Sequence, residues 1–257
     1  MSVKNFNLNN KVVLITGGTR GIGKATSIAF AEAGAQVMMC YKNNADAANE
    51  LLKKLPGSNH SLFQADISKS HECEKLISEA VHKYGRIDIF VNNAGIFIRE
   101  NLLDFDFEKW QEAWEATLKL NLFGPANLCY LAAKQMQKQG GGKIINVSSR
   151  GAFRGEPGNP AYGASKAGLN SLSQSLAQAL APHNIFVGVV APGFVETEMS
   201  ASVLNSPKGE EIRKQSPFNR VAKPEEVAHA IVLLAFDGNE FMTGCIIDVN
   251  GASYLRS

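Results

Sequence analysis

Two side chains four residues apart, Tyr162 and Lys166, carry the clearest chemistry in the sequence. Pro160 opens a helical pattern here, and a four-residue step puts both side chains on one helical face. A phenol titrates near roughly 10, too high for efficient acid–base work at neutral pH. A neighbouring ammonium favours the phenolate and lowers that value, so the pair is suited to moving a proton at an alcohol or carbonyl centre. A Tyr-x-x-x-Lys pattern also arises by chance and needs company. Ser149 stands 13 positions before Tyr162, directly after the apolar run ending at Val147 and Ser148. A hydroxyl there can donate to a substrate oxygen as charge develops. Ser148 competes for that role, and either serine could simply be a cap or turn residue.

A second constellation lies near the beginning of the chain. Thr16-Gly17-Gly18-Thr19-Arg20-Gly21-Ile22-Gly23 follows a β-branched run and leads into a helical pattern. Such glycines allow a tight turn and let a backbone approach a pyrophosphate at a helix N-terminus. The spacing is G-x-x-x-G-x-G and does not match G-x-G-x-x-G, so the turn alone is weak evidence. A site for NAD usually has an acidic residue at the end of the second strand, for the ribose 2′-hydroxyl. That strand here ends Cys40-Tyr41-Lys42-Asn43, with no acid before Asp46. Arg20 and Lys42 suit a 2′-phosphate instead, which favours NADP(H), although both could be solvated surface charges. Further along, Ala65-Asp66-Ile67 offers a carboxylate to an adenine amino group. Asn92-Asn93-Ala94-Gly95 offers small residues beside which adenosine fits. Each could equally be a turn, since Asn, Asp and Gly are turn formers.

These residues need elements that bring them together, and the hydrophobic pattern supplies them. Seven short apolar runs are expected as strands: Val12–Thr16, Gln36–Tyr41, Ser61–Ala65, Ile87–Val91, Lys143–Val147, Ile185–Val190 and Cys245–Val249. In the first six, nearly continuous rather than alternating apolar character fits strands buried on both faces. Helical patterns fill the gaps at roughly 22–33, 44–55, 70–84, 107–139, 161–181 and 224–236. The alternation predicts an α/β fold with a doubly wound, Rossmann-type, seven-stranded parallel sheet flanked by helices. Ligands of such sheets sit beyond the carboxyl ends of the strands, which is where the candidate residues fall. One domain over 1–257 is the economical reading.

Composition narrows the function classes. The chain has 257 residues, 45% hydrophobic and 19% charged, with a net charge of +2 and no long run of like charge. No nucleic-acid surface is expected. Ala167–Val195 lacks charge but is studded with Asn, Ser and Gln and broken by Pro182 and Pro192, so it is not a membrane span. Met1–Lys11 is polar, without the apolar core of a secretory signal. Cys40, Cys73, Cys129 and Cys245 are far apart and form no C-x-x-C pair. Unpaired thiols in a cytoplasmic protein are expected, with no disulfide framework and no metal site.

Taken in order, Thr16 to Gly23, Asn92 to Gly95, Ser149, Tyr162, Lys166 and Pro192-Gly193 resemble the motifs of the short-chain dehydrogenase/reductase family along essentially the whole chain. The resemblance implies hydride transfer between a nicotinamide and a carbonyl or secondary alcohol. Tyr162 would be the acid–base and Ser149 would hold the carbonyl. Lys166 would bind the nicotinamide ribose and tune Tyr162, and Asn121 would hold a water linking Lys166 to solvent. Thr197 would bond the carboxamide. The dinucleotide pocket would comprise Gly17, Thr19, Arg20, Gly21, Ile22, Gly23, Tyr41, Lys42, Asp66, Ile67, Asn93, Ala94 and Gly95. Tyr162, Lys166, Pro192, Gly193, Val195 and Thr197 would complete it. One departure is that Trp110 to Asn121 carries about four residues more than the family pattern, one helical turn, so rigid spacing would put Thr117 in place of Asn121.

A substrate lid is expected over about 194–222, where Phe194, Met199, Val203, Leu204, Ile212 and Phe218 suit an apolar substrate or mere helix amphipathicity. Within the family the wording Ala191–Met199 is similar to bacterial 3-oxoacyl-acyl-carrier-protein reductases. That implies a possible acyl carrier protein partner, met by Lys134, Lys138 and Lys143. Gln178 stands where a docking arginine is expected, which keeps a general ketone, sugar or keto-ester reductase open. Leu169, Leu172, Leu176 and Leu180 read as the core stripe of the Tyr162 helix. Its uncharged face, Asn170, Ser171, Ser173, Gln174 and Gln178, suggests a subunit interface and a homotetramer. The alternative of a different class is a catalytically silent NADPH-binding sensor, which should have lost a catalytic group. Extended epimerases would need a larger substrate domain.

Overall fold

The computed structural model describes residues 7–99 and 103–256. Most of the polar segment Met1–Lys11 lies outside the described residues. Seven strands form one parallel sheet in the order β3-β2-β1-β4-β5-β6-β7. They are β1 Val12–Thr16, β2 Gln36–Tyr41, β3 Ser61–Gln64, β4 Ile89–Asn92, β5 Gly142–Val147, β6 Ile185–Pro192 and β7 Ile246–Val249. The helices are α1 Gly21–Glu32, α2 Ala45–Lys54, α3 Ser70–Tyr84, α4 Phe107–Leu118, α5 Gly124–Lys138, α6 Gly151–Arg154, α7 Pro160–Leu180, α8 Glu198–Leu204, α9 Gly209–Lys214 and α10 Pro224–Ala235.

Successive strand residues face opposite layers, as a two-residue period requires. Val13 and Ile15 pack with Phe30 of α1 and Val227 and Ile231 of α10. Leu14 between them packs the other way, with Leu76 and Ile77 of α3 and Leu128 and Met136 of α5. Both faces are therefore buried, which is why the strands read as unbroken apolar runs. The four buried residues of α3, Cys73, Leu76, Ile77 and Ala80, repeat at helical spacing. The helix stops at Gly85, whose φ of 76° is the left-handed conformation that ends helices at little cost to glycine.

Two expected elements change. The helix expected over 107–139 is broken by a π-turn at Lys119–Phe123. Pro125 has no N–H to offer the carbonyl four residues back, that of Asn121, so a regular α-helical ladder cannot run through this point. Gly124 meets the same constraint from outside, because a Cβ there would stand 2.3 Å from the Ile67 carbonyl oxygen. The region 194–222 carries two short helices, α8 and α9, that no periodic pattern announced. Its ends meet in a parallel bridge between Val195 and Ala222. Among the described residues, no helix is long and apolar enough to cross a membrane.

The chain winds outward from β1 to β3, then returns to place β4 on the other side of β1. Beyond the carboxyl ends of β1 and β4 the flanking loops diverge and leave a crevice. The amino ends of the strands are closed by charge instead. Lys143, buried, donates to the Phe236 carbonyl at 2.5 Å and lies 3.2 Å from Glu240, while Asp88 accepts from the Val12 N–H and pairs with Arg86. Lys143 is thus not available to a docking partner, contrary to expectation: strand β5 takes it to the end of the sheet opposite the crevice. Lys134 and Lys138 are exposed.

Candidate active site

The crevice holds a cavity of about 480 Å³, and every residue expected in the dinucleotide pocket lines it, from Gly17 to Thr197. The glycine turn is held from behind. Thr16 Oγ1 accepts from the backbone N–H groups of Asn93 and Ala94 at 3.0 and 3.1 Å. The Asn93 amide donates to the Thr16 and Gly17 carbonyls at 2.9 and 3.1 Å. Asn93 thus splices the end of β4 to the end of β1. Gly17 and Gly21 have φ of 61° and 49°. A Cβ on Gly23 would lie 2.0 Å from the Gly17 carbonyl oxygen, so only glycine lets α1 begin this close to the turn. The N-terminus of α1 is left facing the cavity without a side-chain cap.

At the adenosine side the two cations expected to meet a phosphate are ion-paired. Lys42 Nζ lies 2.8 Å from Asp66 Oδ2, and Arg20 lies 3.8 Å from Glu198. Burial opposes ionisation of Asp66, but hydrogen bonds from Lys42 and Ser68 hold its carboxyl below the usual range. No carboxylate stands at the carboxyl end of β2, where Tyr41, Lys42, Asn43 and Asn44 line the cavity.

At the other end, β5 delivers Ser148 and Ser149 and α7 delivers Tyr162 and Lys166. The two serines separate cleanly. Ser148 is buried and donates to the Lys166 carbonyl at 3.3 Å. Ser149 Oγ accepts from the Gly151 N–H at 3.0 Å, which leaves its proton for the Tyr162 phenol, its hydrogen-bond partner. Burial pushes the phenol up from its ordinary value; the bond from Ser149 pulls the other way, and the negative charge of Glu156 adds to the rise. Lys166 Nζ lies 5.8 Å from the centroid of the Tyr162 ring. Burial pushes the lysine itself down to about 8, and its Nζ donates to the Val147 carbonyl at 2.9 Å.

Asn121, rather than Thr117, is the residue brought to this group. A Cβ on Gly95 would be 3.3 Å from Asn121 Oδ1 and 3.6 Å from Lys166 Nζ, so all three meet at the end of β4. The side chain of Asn121 is fully engaged: it accepts from the Ile96 N–H and donates to the Ile96 carbonyl, both at 2.9 Å, and reaches Ser165 at 3.3 Å. Its main-chain carbonyl has no α-helical donor, because Pro125 lacks an N–H. Thr117 is buried one turn earlier, its hydroxyl without a hydrogen-bond partner among the described residues.

Three neighbours escaped the sequence reading. Phe97 packs edge-on against Tyr162, with ring centroids 5.0 Å apart. Glu156 and Arg150 also line the cavity. Nothing in their spacing distinguished them from loop residues. Thr197 lies at the N-terminus of α8, its N–H bonded by Ser200 Oγ at 3.1 Å and its methyl group against Gly21. The apolar residues of 194–222 divide. Phe194, Met199 and Val203 line the cavity, Leu204 and Ile212 form a small core with Val221, and Phe218 is exposed. On α7, Asn170 and Ser173 are buried within the subunit, against the expected interface role. Ser173 accepts from Asn146 at 2.8 Å, because β5 passes directly beneath it. The four cysteines are unpaired; burial pushes Cys40 and Cys129 up to about 12, which leaves them inert.

A switch-point crevice with a glycine cradle at one end and a hydroxyl pair over a buried lysine at the other defines the class: this chain belongs to the short-chain dehydrogenase family, whose model matches residues 11–208. It is an oxidoreductase fold in both sequence and structure. The chain is 39% identical over 246 residues to the 3-oxoacyl-(acyl-carrier-protein) reductase FabG of Thermotoga maritima, covering 95% of this chain and 98% of that protein. It is 39% identical over 255 residues to another Thermotoga maritima protein, described as an uncharacterized oxidoreductase, covering 96% and 99%. The crystal structure of gox2181 superposes with a TM-score of 0.90 at 30% identity, covering 96% of this chain and 97% of that one.

Proposed function

We propose that the chain is an NADPH-dependent carbonyl reductase in which Tyr162 delivers the proton, and that its substrates are 3-oxoacyl thioesters. The observation that carries the reading is the Ser149–Tyr162 hydroxyl pair above Lys166, at one end of a cavity whose other end is the glycine cradle. The residues present fit a dinucleotide: glycines stand where any Cβ would collide, and an uncapped helix N-terminus faces the cavity. When bound, the nicotinamide supplies the hydride.

The chain's own residues do the rest. Ser149 donates to the carbonyl oxygen and fixes it beside the phenol. Burial keeps the Tyr162 proton in place until the oxygen becomes basic, which is what a proton donor requires. Lys166 is 96% removed from solvent and faces the ribose position, where its charge favours the phenolate left after transfer. The main-chain carbonyl of Asn121, which Pro125 deprives of its α-helical donor, offers a seat for a water that returns a proton to Lys166. Lys42 exchanges Asp66 for the 2′-phosphate, with Arg20 beside it. Segment 194–222 acts as the substrate lid of a single catalytic domain.

The thioester reading rests on relatives named as 3-oxoacyl-(acyl-carrier-protein) reductases, and acyl carrier protein is the proposed donor of the chain. Exposed Phe107, Phe123 and Tyr130 on the α4–α5 rod support assembly into a homotetramer. Light scattering at micromolar concentration should give four chain masses; a monomer mass sinks the assembly. For the reaction, NADPH oxidation is followed with an acetoacetyl thioester, beside NADH and beside Tyr162→Phe. Expected are a preference for NADPH and a loss of at least about 10³-fold in the variant. Turnover that survives the substitution rules out the mechanism. An inactive thioester with active simple ketones moves the substrate class to general carbonyl reduction.

A further inference from the structure

Arg150 follows Ser149 in sequence, is 97% buried, and has no carboxylate within ion-pairing distance among the described residues. Its guanidinium is instead spent on neutral groups from distant parts of the chain. One Nη donates to Ser253 Oγ at 2.5 Å, in the C-terminal tail after β7. The other donates to Gln215 Oε1 at 2.6 Å, directly after α9. The plane also lies over the Phe194 ring, 5.1 Å from its centroid, and the Arg150 N–H donates to the Pro192 carbonyl at 2.9 Å. The start of the 194–222 segment, the end of its helix α9 and the tail thus converge on one side chain. A second bond, Ser216 Oγ to the Gly251 carbonyl at 2.6 Å, runs parallel to it.

We propose that Arg150 is a positioning residue: it locks the lid and the C-terminal tail to the turn that carries Ser149, so that lid placement and carbonyl binding are set by one side chain. Arginine is suited to this because its planar fork holds several acceptors at fixed angles while its face stacks on an aromatic ring; lysine can do neither. Burying a cation without a carboxylate is unfavourable for folding alone. Three aligned contacts at the edge of the substrate cavity give that cost a purpose. Burial is the main influence on the guanidinium, and the nearby charges of Arg154 and Glu156 act on it in opposite directions, so the lock is made of directed bonds and not of an ion pair.

The inference rests on the proposed roles of Ser149 and the lid, and its test separates the two. Arg150→Met and Arg150→Lys are compared with wild type for thioester reduction, NADPH affinity by fluorescence titration, and hydrogen exchange across residues 209–216. In both variants KM should rise about tenfold with the NADPH Kd changed by less than about twofold, and exchange across 209–216 should accelerate. Gln215→Ala and Ser253→Ala each remove one arm; each should raise KM about threefold, with little further effect in the Arg150→Met background. These half-buried positions keep the question open if Arg150→Met fails to fold. Unchanged KM and exchange in the variants overturn the proposal. So does a joint fall of kcat, NADPH affinity and melting temperature with no separate change in KM, the mark of a merely structural arginine. The exchange readout does not depend on turnover, so an active Tyr162→Phe or an inert thioester defeats the proposed function and leaves the lock standing.

Discussion

The two ends of the cavity are built on different principles. The cradle end is made by exclusion: Gly17, Gly21 and Gly23 succeed because they lack a side chain, and Thr16 and Asn93 weld them to β1 and β4. The lid end is made by attachment: α8 and α9 have a core of only three buried residues and are held by the Val195–Ala222 bridge and by bonds to Arg150 and Gly251. A site of the first kind tolerates almost no substitution, because backbone cannot yield. A site of the second kind tolerates change in its interior provided its anchor points remain. The contrast matches the tasks proposed for the two ends, holding the dinucleotide at one and the substrate at the other.

The sharpest way to break this comparison is Gly23→Ala. A methyl group 2.0 Å from the Gly17 oxygen must move the turn or the helix. NADPH affinity by titration should fall by more than about 100-fold, and a loss of under about fivefold would show that the cradle yields after all.

Lys166 gives the next effect, in stability. Its pKa is near 8 in the fold against 10.5 ordinarily, so the unfolded chain binds more protons between those values. Wild-type stability therefore gains from this residue as pH rises from 8 to 10.5, and its burial cost is fully present below 8. The advantage of Lys166→Met over wild type, by denaturant unfolding, should shrink by roughly 3 kcal/mol across that window. The raised thiols, which oppose this trend above pH 9, are common to both proteins and cancel. A pH-independent difference would place the lysine in water rather than in the core.

Leu204→Ala should be the mildest. It empties part of the lid core, so KM should rise by a few-fold while the global midpoint moves by less than about 1 kcal/mol, because the lid opens as a unit separate from the sheet. A large loss of global stability would mean that the lid and sheet unfold together.

Sequence reasoning recovered the sheet nearly residue for residue, because buried parallel strands declare themselves as β-branched runs. It placed Ser149, Tyr162, Lys166 and the glycine turn on a common rim for the same reason: each lies at a fixed offset from a strand end. It lost accuracy where contacts are long-range. The π-turn was missed: the four surplus residues before Asn121 read as one extra helical turn, and Pro125, which breaks the α-helical ladder, was passed over. Lys143 was misplaced because a basic residue at a strand start looks solvated until Phe236 and Glu240 are brought to it. Asn170 and Ser173 looked superficial because a buried serine is recognisable only beside its partner, here Asn146. Arg150 was invisible, since its partners lie 65 and 103 residues away.

The bridge between Val195 and Ala222 has one further consequence. A chain whose ends are already pinned side by side is indifferent, to first order, to how much polypeptide lies between them: doubling a closed loop costs only about 0.6 kcal/mol. The stretch from Glu196 to Val221 is therefore an exchangeable cassette. Chimaeras that transplant it from another member of the family, with Thr197, Gln215 and Ser216 kept, should fold on the same scaffold and inherit the donor's choice of substrate.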